Sequence, residues 1–151
     1  MYYHKTMITV IDTNVIFQGL DSSKGASYFI LELIKDHKIN LALSYQVITE
    51  YEEVLKRNTT LDRLKLNNND IDDILAYFAY ISFPYEPTYV LRPNLRDEKD
   101  NIFIELAFVS NADYLITSNI KDFTKNNELK FDSFTVISPR EFVVKWRQNE
   151  N

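Results

Sequence analysis

The sequence predicts an α/β fold, a three-layer sandwich built on a central, mainly parallel sheet. Three observations predict it. Ile8, Thr9, Val10 and Ile11 form a continuous β-branched run rather than an alternating one, the pattern of a central strand covered by helices on both faces. Further buried stretches of strand length lie at 112–119 and 134–139. Segments with apolar residues at helical spacing separate these stretches, so strands alternate with helices from end to end, as a parallel sheet requires.

The elements follow in order. The first strand occupies the start of MITVIDTNVIF, residues 7–17. Residues 22–38 (SSKGASYFILELIKDHK) place Ile30, Leu33 and Ile34 at i, i+3 and i+4, with Phe29 and Leu31 widening the stripe. That spacing predicts a helix with a broad buried face, capped at Ser22 or Ser23. LALSYQ (41–46) predicts a short strand, and VITEYEEVLKR, apolar at 47, 48, 51, 54 and 55, an amphipathic helix. Helical character continues over 61–82, most clearly in DIDDILAYFAYIS, with Asn67, Asn68 and Asn69 as loop and cap. PYEP (84–87) breaks that helix, and Tyr89, Val90 and Leu91 predict a short strand. The loop RPNLRDEKD leads into a helix, NIFIELAFVS, and then into the strand ADYLITSN. FTVISP (134–139) predicts a last strand, after which Pro139 opens a closing helix, REFVVKWR. No repeat, low-complexity tail or linker interrupts residues 1–151, which read as one domain.

Composition narrows the chemistry. At 45% hydrophobic and 14% aromatic residues, this is a folded chain rather than a disordered one. It contains no Cys, which excludes disulfides, thiol catalysis and cysteine-based zinc or iron–sulfur sites. Its two histidines, His4 and His37, stand far apart, which argues against a histidine metal site or a Ser-His-Asp triad. His4 reads as solvated surface, and His37 as a last-turn residue well placed against a helix dipole. No apolar run is long enough to span a bilayer, and the N-terminus lacks the basic and apolar regions of a signal peptide. The expectation is a cytoplasmic protein with no membrane partner. A formal net charge of −5, from 22 acids against 17 bases, argues against a general nucleic-acid binder. A local basic stripe, Lys56, Arg57, Arg63 and Lys65, reads as a solvated helix face. Tyr77, Phe78, Tyr80 and Phe83 form an aromatic cluster, most of it expected in the core.

The acids are more informative. Asp12 ends a strand that should be buried on both faces, and burying an isolated carboxylate is costly unless it is paired or bound to a cation. The competing explanation is that Asp12 and Asn14 make an Asx turn or cap the helix that follows. In a parallel sheet the strand ends at Asp12 and at Ser118 to Asp122 meet at one edge, and the junction at Asp97 to Asp100 reaches the same edge. Asp100 precedes Phe103, Ile104 and Ala107 by three, four and seven residues, which puts it on the apolar face of its helix. Of three acids on the second amphipathic helix, Glu53 falls opposite the apolar face, while Glu50 and Glu52 lie on its two borders and stay undecided. Carboxylates converging on one edge repel one another unless a cation sits between them. With oxygen ligands alone, Mg²⁺ or Mn²⁺ is the natural choice, and such a site suits phosphoryl chemistry.

IDTNV, ITEYEEVL, RDEKDNIFIELAFVSNADYLITSNIKDF and the closing VISPREFV, taken together and in this order, resemble the PIN domain family, within it the toxin components of VapC-like toxin–antitoxin pairs. The resemblance covers essentially the whole chain. It implies a metal-dependent endoribonuclease with a PIN-like parallel sheet, often a homodimer and held silent by an antitoxin protein. Position by position, it makes Asp12 the first acid, Glu50 the second and Asp100 the third, with Thr13 and Asn14 orienting Asp12 or a water. At the fourth position many relatives have Thr-Gly-Asp, whereas this chain has Thr117, Ser118 and Asn119. An amide there can order a water or ligate Mg²⁺ but brings no charge, and Asp122 stands three residues on to supply a carboxylate. The resemblance thus implies Asp12, Glu50 and Asp100 holding Mg²⁺ or Mn²⁺, with Asp122 as a further ligand and Asn14 and Asn119 completing the catalytic set on an RNA substrate. Two rivals remain in view: a catalytically weakened PIN scaffold that binds RNA or a protein, and a haloacid dehalogenase-like phosphatase. The latter needs a second Asp two residues after the first, where this chain has Asn14.

Overall fold

In the computed structural model, residues 6–86, 98–124 and 133–150 are described. The chain enters as strand β1 (Ile8–Ile11) and turns at once into helix α1 (Thr13–Asp21), followed by α2 (Ala26–Lys35). Strand β2 (Asn40–Leu43) leads into α3 (Tyr45–Leu55), α4 (Asn58–Leu64) and α5 (Asn68–Ile81), and the short β3 (Phe83–Pro84) follows. The second half runs α6 (Glu98–Val109), β4 (Tyr114–Ile116), α7 (Ile120–Thr124), β5 (Thr135–Ile137) and α8 (Pro139–Glu150).

All paired strands are parallel, in the order β3-β2-β1-β4-β5. Successive residues of a strand face opposite sides of a sheet, so the burial of Thr9, Val10 and Ile11 alike means that helices cover both faces of β1. This is the expected three-layer architecture. The connection from β1 leads outward to β2 on one side, while β4 pairs on its other side, which makes the β1/β4 junction the point where a parallel sheet opens a crevice at its carboxyl edge.

Local chemistry accounts for the element boundaries. Ser44 ends β2 and caps α3, its Oγ accepting the Val47 N–H at 3.2 Å. Asn67 and Asp70 form a reciprocal capping box at the start of α5, with both bonds at 2.9 Å. Lys65, in the left-handed region at φ 58°, ends α4, so the helical region expected over 61–82 is two helices. The expected helix over 22–38 begins instead at Ala26 with Gly25 as its N-cap, while Ser22 closes α1. α7 is an addition to the predicted elements, and strand pairing occurs at Phe83–Pro84; the expected strand at 89–91 lies outside the described residues.

The aromatic cluster differs from expectation too. Only Phe78 joins the core, whereas Tyr77, Phe83 and especially Tyr80, at 88% exposure, face outward. A helix buries one stripe, and on α5 that stripe is Ile71, Leu75 and Phe78, which leaves positions 77 and 80 off it. Three members of the basic stripe are neutralised: Lys56 pairs with Asp72 and Glu52, Arg57 with Glu53, and Arg63 with Asp21. Among the described residues, no helix is long and apolar enough to cross a membrane.

Candidate active site

The register of β1 against β4 builds the site. Thr9, Val10 and Ile11 pair with Tyr114, Leu115 and Ile116, so the next residues in line, Asp12 and Thr117, meet just beyond the strand ends. The Asp12 N–H continues the ladder by donating to the Ile116 carbonyl at 2.9 Å. Asp12 is only 7% exposed and Thr117 is fully buried. The Thr117 hydroxyl donates to Asp12 Oδ2 at 2.7 Å, and the Asn14 side-chain amide donates to the same oxygen at 3.2 Å. Asp12 occupies the N-cap position of α1 but makes no side-chain capping bond there. The strongest bonds to this carboxylate therefore come from the Thr117 and Asn14 side chains rather than from a helix cap.

Asn14 faces two ways. Its amide nitrogen holds Asp12, while its Oδ1 accepts the Ser118 N–H at 3.3 Å. The Asn119 N–H donates to the Thr117 hydroxyl oxygen at 3.0 Å, and the Asn119 carbonyl accepts the Asp122 N–H at 3.0 Å. The turn from β4 into α7 is thus clipped onto Asp12 through Thr117. The side chains of Asn119 and Asp122 are exposed.

Burial pushes the Asp12 carboxyl above its ordinary pKa; the Thr117 hydroxyl and the Thr13 backbone N–H pull it back, the negative charge of Asp122 raises it further, and the Asn14 amide opposes. A carboxylate held in this way repels its acidic neighbour and gains from a cation. Behind it, the fully buried Tyr51 donates its hydroxyl to the Ile11 carbonyl. Burial holds the Tyr51 phenol well above its ordinary range, with the Asp12 charge acting in the same direction. Tyr51 thus anchors α3 beneath the end of β1.

The two remaining acids arrive on helices that begin at the same edge. α3 follows β2 directly and carries Glu50 half-buried, whereas Glu52 and Glu53 are exposed and reach toward Lys56 and Arg57. Packing thus separates Glu50 from Glu52, which helical periodicity left undecided. α6 follows β3 and precedes β4, packs on β1, β2 and β4, and carries Asp100, half-buried, in its first turn. The buried Asn101 and Glu105 lie one turn apart on the same helix. Among the described residues, no group of three or more Asp, Glu or His side chains is arranged to hold a metal ion. The structure therefore brings Asp12, Asn14 and Asn119 together through hydrogen bonds and Asp122 within electrostatic reach, but does not close Glu50 and Asp100 with them into one ligand cage. The donor set does suit a hard cation in kind: every candidate ligand is an oxygen, and the buried Thr13 Oγ1 and Asn101 Oδ1, each beside a candidate acid, have no hydrogen-bond partner among the described residues.

Two residues of the site were not assigned roles by sequence reasoning. Thr117 carries the shortest bond to Asp12, and Tyr51 supports it from below. A threonine at a strand end and a tyrosine on an apolar helix face both have ordinary structural uses, so neither announces itself.

The PIN domain family matches residues 9–121. The chain belongs to this family. The matched span contains Asp12, Asn14, Glu50, Asp100, Thr117 and Asn119 and stops one residue short of Asp122. PIN domains are in general nucleases. Over 150 residues this PIN domain is 31% identical to the uncharacterized protein MJ1680 of Methanocaldococcus jannaschii, covering 92% of this chain and 91% of that one. Its fold is similar to a chain in the crystal structure of VapBC2 from Rickettsia felis bound to a DNA fragment from their promoter. There the TM-score is 0.56 at 19% identity, over 87% of this chain and 98% of the other. It is similar as well to the PIN domain of T. brucei RRP44, with a TM-score of 0.51 at 11% identity, over 97% and 84% of the two chains. These last two likenesses are of fold.

Proposed function

We propose that this PIN domain, one unit over residues 1–151, is a metal-dependent endoribonuclease that hydrolyses RNA phosphodiesters. The observation that carries the reading is Asp12: a buried, hydrogen-bonded carboxylate at the crevice of a parallel sheet, raised in pKa by burial and by a second acid. Asp12 and Asp122, with Glu50 and Asp100 from α3 and α6, would hold Mg²⁺ or Mn²⁺. When bound, the ion would lower the pKa of a water and neutralise charge on the phosphate.

The chain's own residues position that chemistry. Thr117 and Asn14 fix the Asp12 carboxylate from two directions, both through Oδ2. Asn119 brings an amide where a carboxylate would add charge, so its part is to order a water or the substrate.

We further read the chain as the toxin of a type II toxin–antitoxin pair, a cytoplasmic homodimer silenced by a cognate antitoxin protein; the fold likeness to VapBC2 supports the pairing with an antitoxin. A second reading, a PIN scaffold that binds RNA or a protein without cutting, is favoured by the neutral Asn119 and by the lack of a closed carboxylate group among the described residues. Cleavage of single-stranded RNA with Mg²⁺ or Mn²⁺ decides between them. Asp12→Asn should lower the rate by more than about 100-fold, since groups one step removed from a metal already cost about 10–100-fold. No metal-dependent cleavage by the wild-type chain would leave the scaffold reading.

A further inference from the structure

The chain is acidic overall, yet three of its cations gather beside the candidate active site. A groove of about 370 Å³ opens at the carboxyl edge of the sheet, between the start of α2, the start of α8 and Ser118 after β4. A second groove of about 470 Å³ adjoins it along α2 and α8, and Arg140 lines both. Lys24 and Arg147 line the second as well. Lys24, Arg140 and Arg147 are exposed, and among the described residues none of them forms an ion pair, in contrast to Lys56, Arg57 and Arg63.

The grooves join the site through a continuous set of hydrogen bonds. Asn14, which holds Asp12, accepts the Ser118 N–H; the Ser118 hydroxyl donates to Gln18 Oε1 at 3.0 Å; and Ser27, on α2, donates to the same oxygen at 3.0 Å. The walls are also aromatic. Tyr28 is exposed, and the Arg147 guanidinium lies 4.8 Å from the centroid of the Phe29 ring. Cations tracking a backbone beside flat aromatic surfaces are what a single strand of nucleic acid requires, because phosphates pair with the cations and unstacked bases lie on the rings. A duplex would offer phosphates but no free base faces.

We propose that this double groove is the track for the single-stranded RNA flanking the cleavage point, with Arg140 at the junction, Lys24 and Arg147 farther along, and the exposed Tyr28 as the stacking surface. The proposal rests on the nuclease reading for its choice of RNA but uses residues outside the acidic site.

The test is binding without cleavage. A labelled single-stranded RNA of about 12 nucleotides, within the span such grooves cover, is titrated with the wild-type chain in EDTA at salt concentrations from 0.1 to 1 M, by fluorescence anisotropy. Each phosphate contact on a single strand steepens the salt dependence by about 0.7. Lys24→Ala, Arg140→Ala and Arg147→Ala combined should therefore flatten the slope by about 2 and weaken binding about 100-fold at 0.1 M salt, while near 1 M the two proteins converge. Arg140→Lys and Arg147→Lys combined, with Lys24 intact, should keep most of the slope, which damage to the fold at these positions would not allow. An unchanged slope and affinity in the triple variant, no salt-dependent binding by the wild type, or equal affinity for a duplex would overturn the proposal. Failure of the nuclease reading looks different: no RNA is cleaved with metal present, yet the slope still falls in the triple variant.

Discussion

Asp12 is costly to bury, and that cost is measurable. Its carboxyl is raised above its ordinary pKa in the fold, first by burial and further by Asp122. The folded state therefore holds a proton over a pH window in which the unfolded state has released it, and between the ordinary and the raised value stability falls as pH rises. Below the ordinary carboxylate pKa both states are protonated and the burial cost vanishes. Asp12→Asn removes this dependence. Chemical denaturation in EDTA should find the variant more stable than the wild type at neutral pH, by about 1.4 kcal/mol for each pH unit separating the raised and ordinary values. The gap should close as pH falls below the ordinary value; a gap that widens on acidification would contradict the account. At this scale the sequence was partly legible. Asp12 and Asn14 stand out as polar residues in an apolar run, but the role of Thr117 depends on the register of β1 against β4, which joins residues 105 positions apart. Glu50 and Glu52 are likewise equivalent on a helical wheel until packing half-buries Glu50 and leaves Glu52 exposed beside Lys56.

Elements were legible where periodicity or caps marked them and illegible where neither did. The apolar run of β1, the stripe of α2 and the capping box before α5 are local signals. α1 follows β1 after a single residue, with no capping side chain to announce its start, and α7 is only five residues long. The split between α4 and α5 hangs on one left-handed residue, Lys65. The packing of α1 on α2 is equally invisible in sequence. It rests on Gly19, where an added Cβ would stand 2.4 Å from Leu31 Cδ1 and 3.1 Å from the Ser27 carbonyl oxygen. Ala is the better helix former by about 1 kcal/mol, yet Gly19→Ala should destabilise the fold by a net amount of about 1–3 kcal/mol through overpacking. A midpoint equal to or above that of the wild type in denaturant unfolding would show that Leu31 moves aside. The same displacement would disturb Ser27 and its bond to Gln18 at the groove, so the variant also reports on how firmly α2 is seated.

For the whole molecule, the alternation of strands and helices was enough to specify a parallel three-layer sheet, and the reversal of strand order at β1 and β4 explains why the informative residues gather at one edge. The charge distribution was not legible in that way. Three of the four basic residues that stand close together in sequence, Lys56, Arg57 and Arg63, are paired with acids, whereas Lys24 meets Arg140 and Arg147 of α8 only after α8 packs on α2. Ser118 stands between Asp12 and the groove, bonded to Asn14 on one side and to Gln18 on the other. Whether Asp12 holds a divalent cation is decided by a calorimetric titration of Mn²⁺ into the wild-type chain and into Asp12→Asn. A carboxylate ligand at Asp12 gives saturable binding to the wild type that is lost in the variant. Equal binding in both, or none in either, would contradict it.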